Sequence, residues 1–420
     1  MFRKTTLQNG LRVVTQKLDG TKSVTVLVLV GAGSRYEKED NRGISHFLEH
    51  MFFKGGDRYK NTKEVSEAID SVGGEFNAFT GKEYAGYYVK VARESIDVAC
   101  DVLSDMMINA KFPQKEIENE RGVILEEYNL YQDTPMYQIG WNFENLVFGD
   151  QPLGWDQIGK KEVIRSVGHD DFVEYKKKLY TSDNTVIAVV GNIENDEAVE
   201  KIQKYFDLES KKKAYEFEPL KKLNGGRVNI KEKKTEQAHI AVGFPGCSER
   251  SKDHFVIRLL AVILGGNMSS RMFLEVREAK GLTYYIRTGT DNYIDGGTFV
   301  TNAGVDLKRV EEAIISIVEE YKKIGNEDVP ASELTKAKEY LKGKMVLRLE
   351  DSEEYAHLLG KYELLHDQAK SPEEIMKLID AVKVSDIRRV AEDVLKEEDM
   401  KLALIGPYED KEKFEDLLKF

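Results

Sequence analysis

The second half of this 420-residue chain repeats landmarks of its first half at one constant offset of 215 residues. Four landmarks match in order: Asn9-Gly10-Leu11-Arg12-Val13 with Asn224-Gly225-Gly226-Arg227-Val228, a strand-like run ending at Gly31 with one ending at Gly246, Asp171 with Asp386, and Gly191 with Gly406. Short matches of this kind are individually common, but four in one order at one offset are hard to obtain by chance. The chain is therefore predicted to fold as two domains of similar structure.

The restart of the repeat predicts the domain boundaries. We expect one domain over residues 1–210, a linker over 211–222 with a Lys run and Pro219, and a second domain over 223–420. In the first copy, alternating residues predict short strands, and helical spacing predicts helices between them: strands at 11–15, 23–30, 75–80 and 83–91, and helices from Asn61 and over 114–131. The predicted class is α+β, with a mostly antiparallel sheet and packed helices in each domain.

Composition narrows the classes of partner and the cellular compartment. A formal net charge of −12 argues against binding to nucleic acid or to an anionic membrane surface. No run reaches the roughly 18 apolar residues that cross a bilayer, and the N-terminus enters a strand pattern instead of a secretory signal. Cys100 and Cys247 form no disulfide framework or thiolate metal pattern. These features predict a cytoplasmic protein.

The segment His46-Phe47-Leu48-Glu49-His50 carries the clearest chemical signal. Two histidines four residues apart on a helix lie one turn apart and can bind one metal ion from the same face. Glu49 lies beside them, in the H-x-x-E-H order of inverted zinc peptidase motifs. Helix histidines that merely neighbour a glutamate are the alternative, and a third ligand is needed to decide.

An acidic helix at 114–131 offers that ligand. Glu120, Glu126 and Glu127 are all candidates, although an acidic helix is most often a solvated surface. Glu120 and Glu127 are seven residues apart, about 10.5 Å along a helix axis, so both cannot bind one ion directly. One of them is expected to bind the metal and the other to support the site.

The whole chain resembles the pitrilysin family of zinc peptidases. The resemblance rests on the His46-to-His50 motif and on two further segments, Glu120-Arg121-Gly122-Val123-Ile124-Leu125-Glu126-Glu127 and Asn77-Ala78-Phe79-Thr80. Its bacterial members are related to the mitochondrial processing peptidase. The resemblance implies one Zn²⁺ per chain on His46, His50 and Glu127, with Glu49 as general base and Glu120 supporting a ligand. It also implies that the two domains form a clam-shell around the site.

The resemblance assigns a role to the segment from Asn77 to Thr80. In relatives this strand lies at a sheet edge and pairs with an extended peptide, so Asn77, Ala78, Phe79 and Thr80 are candidate substrate-binding residues. An ordinary strand with Phe76 and Ala78 packed inward is the alternative.

The second copy lacks the metal motif. Its corresponding segment, 254–262, is apolar where Glu49 and His50 should be, and Lys342 stands 215 residues after Glu127. Arg277 and Tyr284 resemble the family's pair that grips the substrate and stabilises the oxyanion, and Gly265-Gly266-Asn267-Met268 resembles its glycine-rich loop. Some relatives divide these residues between two chains. This chain carries both sets, which implies a self-sufficient homodimer.

The predicted function is a zinc-dependent endopeptidase that hydrolyses unfolded oligopeptides. A non-catalytic scaffold or a subunit of a heteromeric peptidase is the alternative, because the family includes members without catalysis, and a hydrolase of other substrates is a further one. Relatives that remove presequences recognise an arginine of the substrate with acidic residues that follow the ligating glutamate in sequence. Between 128 and 148 only Asp133 and Glu144 are acidic here, which favours general oligopeptide clearance.

Overall fold

The computed structural model describes residues 1–221 and 225–420. Lys222 of the predicted linker, Leu223 at the predicted start of the second domain, and Asn224 of the repeated segment lie outside the described residues. The strands are β1 Arg3–Thr6, β2 Arg12–Lys17, β3 Ser23–Val30, β4 Glu75–Thr80, β5 Ala85–Ala92, β6 Thr185–Gly191, β7 Val228–Glu232, β8 Ala238–Pro245, β9 Thr283–Asn292, β10 Gly297–Val305 and β11 Lys401–Gly406.

Fifteen α-helices are found among the described residues. They are α1 Ile44–Phe52, α2 Thr62–Asp70, α3 Ile96–Asn109, α4 Gln114–Asp133, α5 Pro135–Phe148, α6 Lys161–Ser166, α7 His169–Leu179, α8 Asn195–Tyr205, α9 His254–Gly265, α10 Val310–Asn326, α11 Ala331–Arg348, α12 Ser352–His366, α13 Pro372–Asp380, α14 Val384–Val394 and α15 Lys411–Asp416. A short π-helix occupies Phe273–Ala279.

The predicted duplication is visible in the two sheets. The first sheet has the order β1-β2-β6-β3-β5-β4, and the second has the order β7-β11-β8-β10-β9. Apart from β1, each strand of the first sheet has a counterpart at the same place in the second. The pairing directions also agree, because β2 with β6 and β7 with β11 are parallel and the other pairs are antiparallel. The predicted α+β class, with two domains of similar fold, is confirmed.

Matched helix caps support the same conclusion at residue level. Asp171 accepts a hydrogen bond from Gly168 N at the start of α7, and Asp386 accepts one from Lys383 N at the start of α14. A carboxylate in the first turn satisfies an otherwise unpaired N–H and interacts favourably with the helix dipole. The repeated aspartates are therefore conserved between the two copies of the fold as helix caps.

The compact units are not contiguous halves of the chain. The first unit comprises Met1–Asn129, Asp156–Glu218 and Val346–Pro372, and the second comprises Leu130–Trp155, Pro219–Met345 and Glu373–Phe420. Each unit thus includes a helix from the other half of the sequence, α12 in the first and α5 in the second. The main division, between Glu218 and Pro219, falls within the predicted linker.

Packing explains why these helices change units. In the first unit, Ala356 and Leu359 of α12 pack with Leu27, Leu29 and Ala188 of the sheet. A Cβ at Gly360 would lie only 2.6 Å from the Leu29 side chain, so glycine permits the close approach of α12 to β3.

In the second unit, α5 covers its sheet in the same way. Ile139 and Phe143 pack with Ala241, Val300 and Ala403, and Phe143 is 1% exposed. Truncation of such a buried aromatic side chain typically costs about 3–5 kcal/mol, so the exchanged helices are integral to the core of each unit.

Most predicted elements of the first copy are observed, with small changes at their ends. The strand at 23–30 is β3, and the helix from Asn61 is α2, with the Asn61 side chain accepting from Glu64 N. The strand predicted at 83–91 instead begins at Ala85. Glu83 precedes the strand, and its carboxylate forms a buried ion pair with Arg35. Among the described helices, none has the length and apolar character needed to cross a membrane.

Candidate metal centre

Helix α1 presents the histidine motif because its two faces differ in burial. Its buried residues recur at helical spacing and anchor it in the first unit: Ile44, Ser45, Phe47, Leu48, Met51 and Phe52. His46, Glu49 and His50 occupy the remaining, half-buried face. The apolar pattern therefore fixes which way the three functional side chains point.

The start of α1 is held by a buried carboxylate. Glu37 Oε2 accepts from Gly43 N at 2.8 Å, and Oε1 accepts from Ser45 N at 2.9 Å. The Ser45 hydroxyl also lies 2.6 Å from the Tyr175 hydroxyl. Burial raises the pKa of Glu37 to about 7, although the N–H groups of Gly43 and Ser45 oppose this shift. These contacts place the first turn of α1, directly before His46.

Replacing Glu37 by glutamine is expected to change how stability depends on pH. Between the ordinary value of 4.5 and about 7, folded Glu37 keeps a proton that the unfolded chain has released. The Glu37 contribution to stability therefore falls as pH rises through this window, by about 3 kcal/mol at most. Urea unfolding of metal-free protein at pH 5 and pH 8, for the parent and for Glu37→Gln, measures the difference. An identical pH dependence in both proteins would refute this role for Glu37.

Helix α4 is fixed against α1 by Arg121. The guanidinium donates to Val167 O at 2.9 Å and to Ile164 O, and it lies 5.8 Å from the centroid of the Phe47 ring on α1. Ile117, Glu120 and Ile124 form the buried side of α4. Glu126 is exposed and points away, whereas Glu120 and Glu127 face the histidines.

The structure brings His46, His50 and Glu127 together. Glu127 Oε2 lies 3.6 Å from His46 Nε2 and 3.7 Å from His50 Nε2. Among the described residues, these three form the only group of His, Cys, Asp and Glu side chains with ligand atoms close enough to hold one metal ion, all within 4.8 Å of one another. The candidate ligands thus come from two different helices, α1 and α4. His50 and Glu127 are 77 residues apart in sequence.

These residues fit a zinc ion. Zinc bonds to histidine nitrogen and carboxylate oxygen of about 2.0–2.2 Å place the ligand atoms of a tetrahedral site roughly 3.4 Å apart. The separations of 3.6 and 3.7 Å from Glu127 Oε2 are close to that value. Two imidazoles and one carboxylate also form a common set for catalytic zinc, which leaves one position open.

Glu120 makes a different contact from Glu127. Its Oε1 lies 2.8 Å from His50 Nδ1, on the opposite side of the ring from Nε2. A proton shared with Glu120 at Nδ1 leaves the Nε2 lone pair free to face Glu127. His46 Nδ1 is buried without a hydrogen-bond partner in residues 1–221 and 225–420. Of the two histidines, within that part of the chain, His50 is therefore the one whose ring is oriented by a hydrogen bond at Nδ1.

The two histidines differ in their electrostatic surroundings. Burial, followed by the nearby His50, lowers the pKa of His46 to about 3, which keeps its imidazole neutral. Burial also acts to lower the pKa of His50, but the hydrogen bond to Glu120 and the charges of Glu49, Glu120 and Glu127 raise it overall. The two rings lie 4.8 Å apart between centroids, so they share one small volume.

Glu49 lies beside this group. Burial raises its pKa, the Glu127 charge adds to the increase, and Thr80 and His50 oppose it. Thr80 Oγ1 makes no hydrogen bond of standard geometry within the described residues, yet it is close enough to Glu49 to influence that pKa. The end of β4 and the candidate general base are therefore neighbours.

The predicted substrate strand is an edge strand. β4 pairs with β5 on one side only, at the end of the first sheet. Asn77 is exposed, Ala78, Phe79 and Thr80 are half-buried, and Asn77 Oδ1 accepts from Ala78 N at 2.9 Å. The Phe76 ring lies tilted against the Phe53 ring, with centroids 5.7 Å apart, which is compatible with the alternative of an inward-packed strand. An open edge and a partly packed face coexist in β4.

Arg277 and Tyr284 lie in the second unit, near one another. The Arg277 guanidinium lies 5.8 Å from the Tyr284 ring centroid and 4.5 Å from that of Phe273. Arg277 belongs to the π-helix, and Tyr284 lies near the start of β9, an edge strand, with 77% of its surface exposed. The glycine-rich segment also ends in an accessible residue, Met268, at 70% exposure.

Sequence reasoning did not identify Lys54 or Glu37. Lys54 Nζ lies 2.5 Å from Glu120 Oε2. Its position four residues after His50 continues the spacing of His46 and His50, and this spacing was the available signal. Glu37 lies outside any recognisable motif, and only the folded contacts of its carboxylate with Gly43 and Ser45 reveal it.

Comparison with known proteins identifies the family. A model described as Insulinase (Peptidase family M16) matches residues 12–153, and one described as Peptidase M16 inactive domain matches residues 166–341. A Bacillus subtilis relative described as an uncharacterized zinc protease is 36% identical over 408 residues, covering 97% of this chain and 98% of the relative.

Two further comparisons agree. An uncharacterized zinc protease of Streptomyces coelicolor is 34% identical over 417 residues, covering 98% of this chain and 90% of the relative. The crystal structure of a protease from Helicobacter pylori has a similar fold, with a TM-score of 0.88 at 24% identity over 97% of this chain and 99% of that one. The identity to these zinc proteases over nearly their whole length shows that the chain belongs to peptidase family M16, the pitrilysin family.

Proposed function

We propose that this protein is a zinc-dependent endopeptidase that hydrolyses unfolded oligopeptides, with one Zn²⁺ per chain. The observation that carries the proposal is the position of Glu49 beside His46, His50 and Glu127. The Nε2 atoms of the two histidines both lie within 3.7 Å of one carboxylate oxygen of Glu127. This set combines three candidate metal ligands with a neighbouring carboxylate, that of Glu49, which is not one of them. A general base beside a metal is what peptide hydrolysis requires.

The protein residues have distinct tasks in this mechanism. His46, His50 and Glu127 would hold the zinc ion, which when bound supplies the charge that polarises a carbonyl and lowers the pKa of a water molecule. Glu49 accepts the proton of the attacking water and delivers it to the nitrogen of the leaving amine. Burial, which already raises the pKa of Glu49, favours a carboxylate able to carry that proton.

The open edge of β4 supports an extended peptide as substrate. A peptide added to this edge would pair with the backbone of residues 77–80, and Thr80 would bring it to Glu49. An unfolded, extended segment presents the unpaired backbone that such pairing needs. Arg277 and Tyr284 would assist by holding the substrate and stabilising the oxyanion, and their accessible side chains are compatible with that task.

The alternative is a scaffold without catalysis or a subunit of a heteromeric peptidase. The complete set of His46, Glu49, His50 and Glu127 favours the enzyme, as does the presence of Arg277 and Tyr284 in the same chain. We further propose that the protein acts in the cytoplasm as a homodimer. The absence of disulfides between its two free cysteines, Cys100 and Cys247, is compatible with a reducing compartment.

Chelation tests the proposed function. Zinc-loaded protein is expected to cleave a mixture of unstructured peptides at internal bonds, as read by mass spectrometry, and to leave a folded protein of comparable sequence intact. Metal-free protein should be inactive, and added zinc should restore the same cleavage sites. Zinc binding without cleavage of any peptide would instead support the scaffold or a missing partner chain.

A further inference from the structure

One side chain at the candidate metal centre has no role in the mechanism above. Lys54 lies four residues after His50, just beyond the end of α1, where its N–H donates to Met51 O at 3.1 Å. Lys54 follows His46 and His50 at the same four-residue spacing in the sequence, and its side chain, like that of His50, contacts Glu120. The lysine extends the row of the two histidines towards α4.

Glu120 joins this lysine to the candidate ligands. Its carboxylate uses both oxygens, with Oε1 at 2.8 Å from His50 Nδ1 and Oε2 at 2.5 Å from Lys54 Nζ. The Lys54 side chain is 16% exposed and that of Glu120 is 10% exposed. A pair this well shielded is held more firmly than a surface ion pair, because water competes little for either group.

The pairing along the two helices has a consistent direction. Glu120 meets His50 and Lys54, whereas Glu127, two turns later on α4, meets His46 and His50. The helices therefore run in opposite directions at this point. Lys54 places a positive charge at Oε2 of Glu120, the oxygen that does not contact His50.

We propose that Lys54 is a positioning residue of the zinc site, which clamps the Glu120 carboxylate so that it holds the His50 ring with Nε2 turned towards Glu127. The inference rests on the proposed function, because it assigns Lys54 a purpose only if His50 binds the metal. Without the clamp, Glu120 Oε2 is left without its cation, and the carboxylate is free to rotate away from His50 Nδ1. His50 would then bind zinc from an unfixed orientation.

Zinc affinity of the full chain tests this proposal without relying on activity. Metal-free protein is titrated with zinc in competition with a coloured chelator. Lys54→Met is expected to weaken zinc binding by about 10-fold, within the range of about 10–100-fold typical of residues that orient metal ligands. Lys54→Arg, which keeps the cation, should recover most of the affinity. Lys201→Met is the matched control, because it removes another lysine–carboxylate contact, 2.8 Å to Asp97, away from the site.

A double-mutant cycle with Glu120→Gln separates positioning from general stability. If Lys54 acts through Glu120, Lys54→Met should change zinc affinity little once Glu120 is glutamine. Equal weakening in both backgrounds, or unchanged affinity in Lys54→Met, would overturn the proposal. If neither Lys54→Met nor Lys54→Gln folds, Lys54 is a structural residue and the proposal also fails. Absence of zinc binding by the parent protein would overturn the proposed function instead.

Discussion

Replacing Glu49 by glutamine is expected to lower kcat on an unstructured peptide by about 10²–10⁴-fold, the usual contribution of a general acid–base residue. Glutamine has nearly the same shape as glutamate but cannot accept the proton of the attacking water. Because His46, His50 and Glu127 remain, the variant should keep its zinc. Peptide cleavage assays paired with zinc analysis of the same samples measure both quantities.

The pattern of loss distinguishes catalysis from folding. KM should change much less than kcat, since glutamine preserves the surface against which β4 and a peptide would lie. Glu126→Gln is the matched control, because Glu126 is exposed on α4 and faces away from the histidines. Cleavage by Glu49→Gln at the parental rate would exclude Glu49 as the base.

Replacing Glu127 by glutamine is expected to weaken zinc binding by more than about 100-fold. Residues that only orient metal ligands contribute about 10–100-fold to metal affinity. Glu127 is expected to contribute more because it is assigned as a direct ligand, with its carboxylate oxygen 3.6 Å from His46 Nε2 and 3.7 Å from His50 Nε2. An amide oxygen carries no full negative charge and binds the cation less strongly. Competition titration with a coloured chelator measures the effect.

Comparison with neighbouring glutamates makes the Glu127 experiment specific. Glu120→Gln should weaken zinc binding less than Glu127→Gln, since Glu120 contacts His50 at Nδ1, not at the Nε2 atom that faces Glu127, and otherwise pairs with Lys54. Glu126→Gln should leave zinc affinity unchanged. A larger loss in Glu120→Gln than in Glu127→Gln would mean that the assignment of ligand and supporting residue is reversed.

The His46-to-His50 segment was predictable because its chemistry is local. Spacing along one helix is enough to place two imidazoles and a carboxylate on one face. The glutamate of α4 was not predictable from spacing alone, because the choice among Glu120, Glu126 and Glu127 depends on how α4 is rotated against α1. Arg121 and the buried Ile117 and Ile124 set that rotation, and the carbonyl partners of Arg121, at Ile164 and Val167, are distant in sequence.

The duplicated fold was predictable for a similar reason, whereas the exchange of helices was not. Repeated glycines and aspartates mark equivalent turns and caps in each copy. An amphipathic helix such as α5 shows in its sequence that one face is buried, but not which sheet covers it. Phe143 and Ile139 pack with residues around 241, 300 and 403, so their partners lie in the other half of the chain. Contiguous domains were therefore the natural expectation from sequence alone.

The most direct test of the zinc assignment is a crystal of the zinc-loaded protein measured on both sides of the zinc absorption edge. The account predicts one anomalous peak per chain, bounded by His46 Nε2, His50 Nε2 and a Glu127 carboxylate oxygen, with the Glu49 carboxylate nearby but outside bonding distance. A peak at any other group of residues, or no peak in protein that carries zinc in solution, would contradict it.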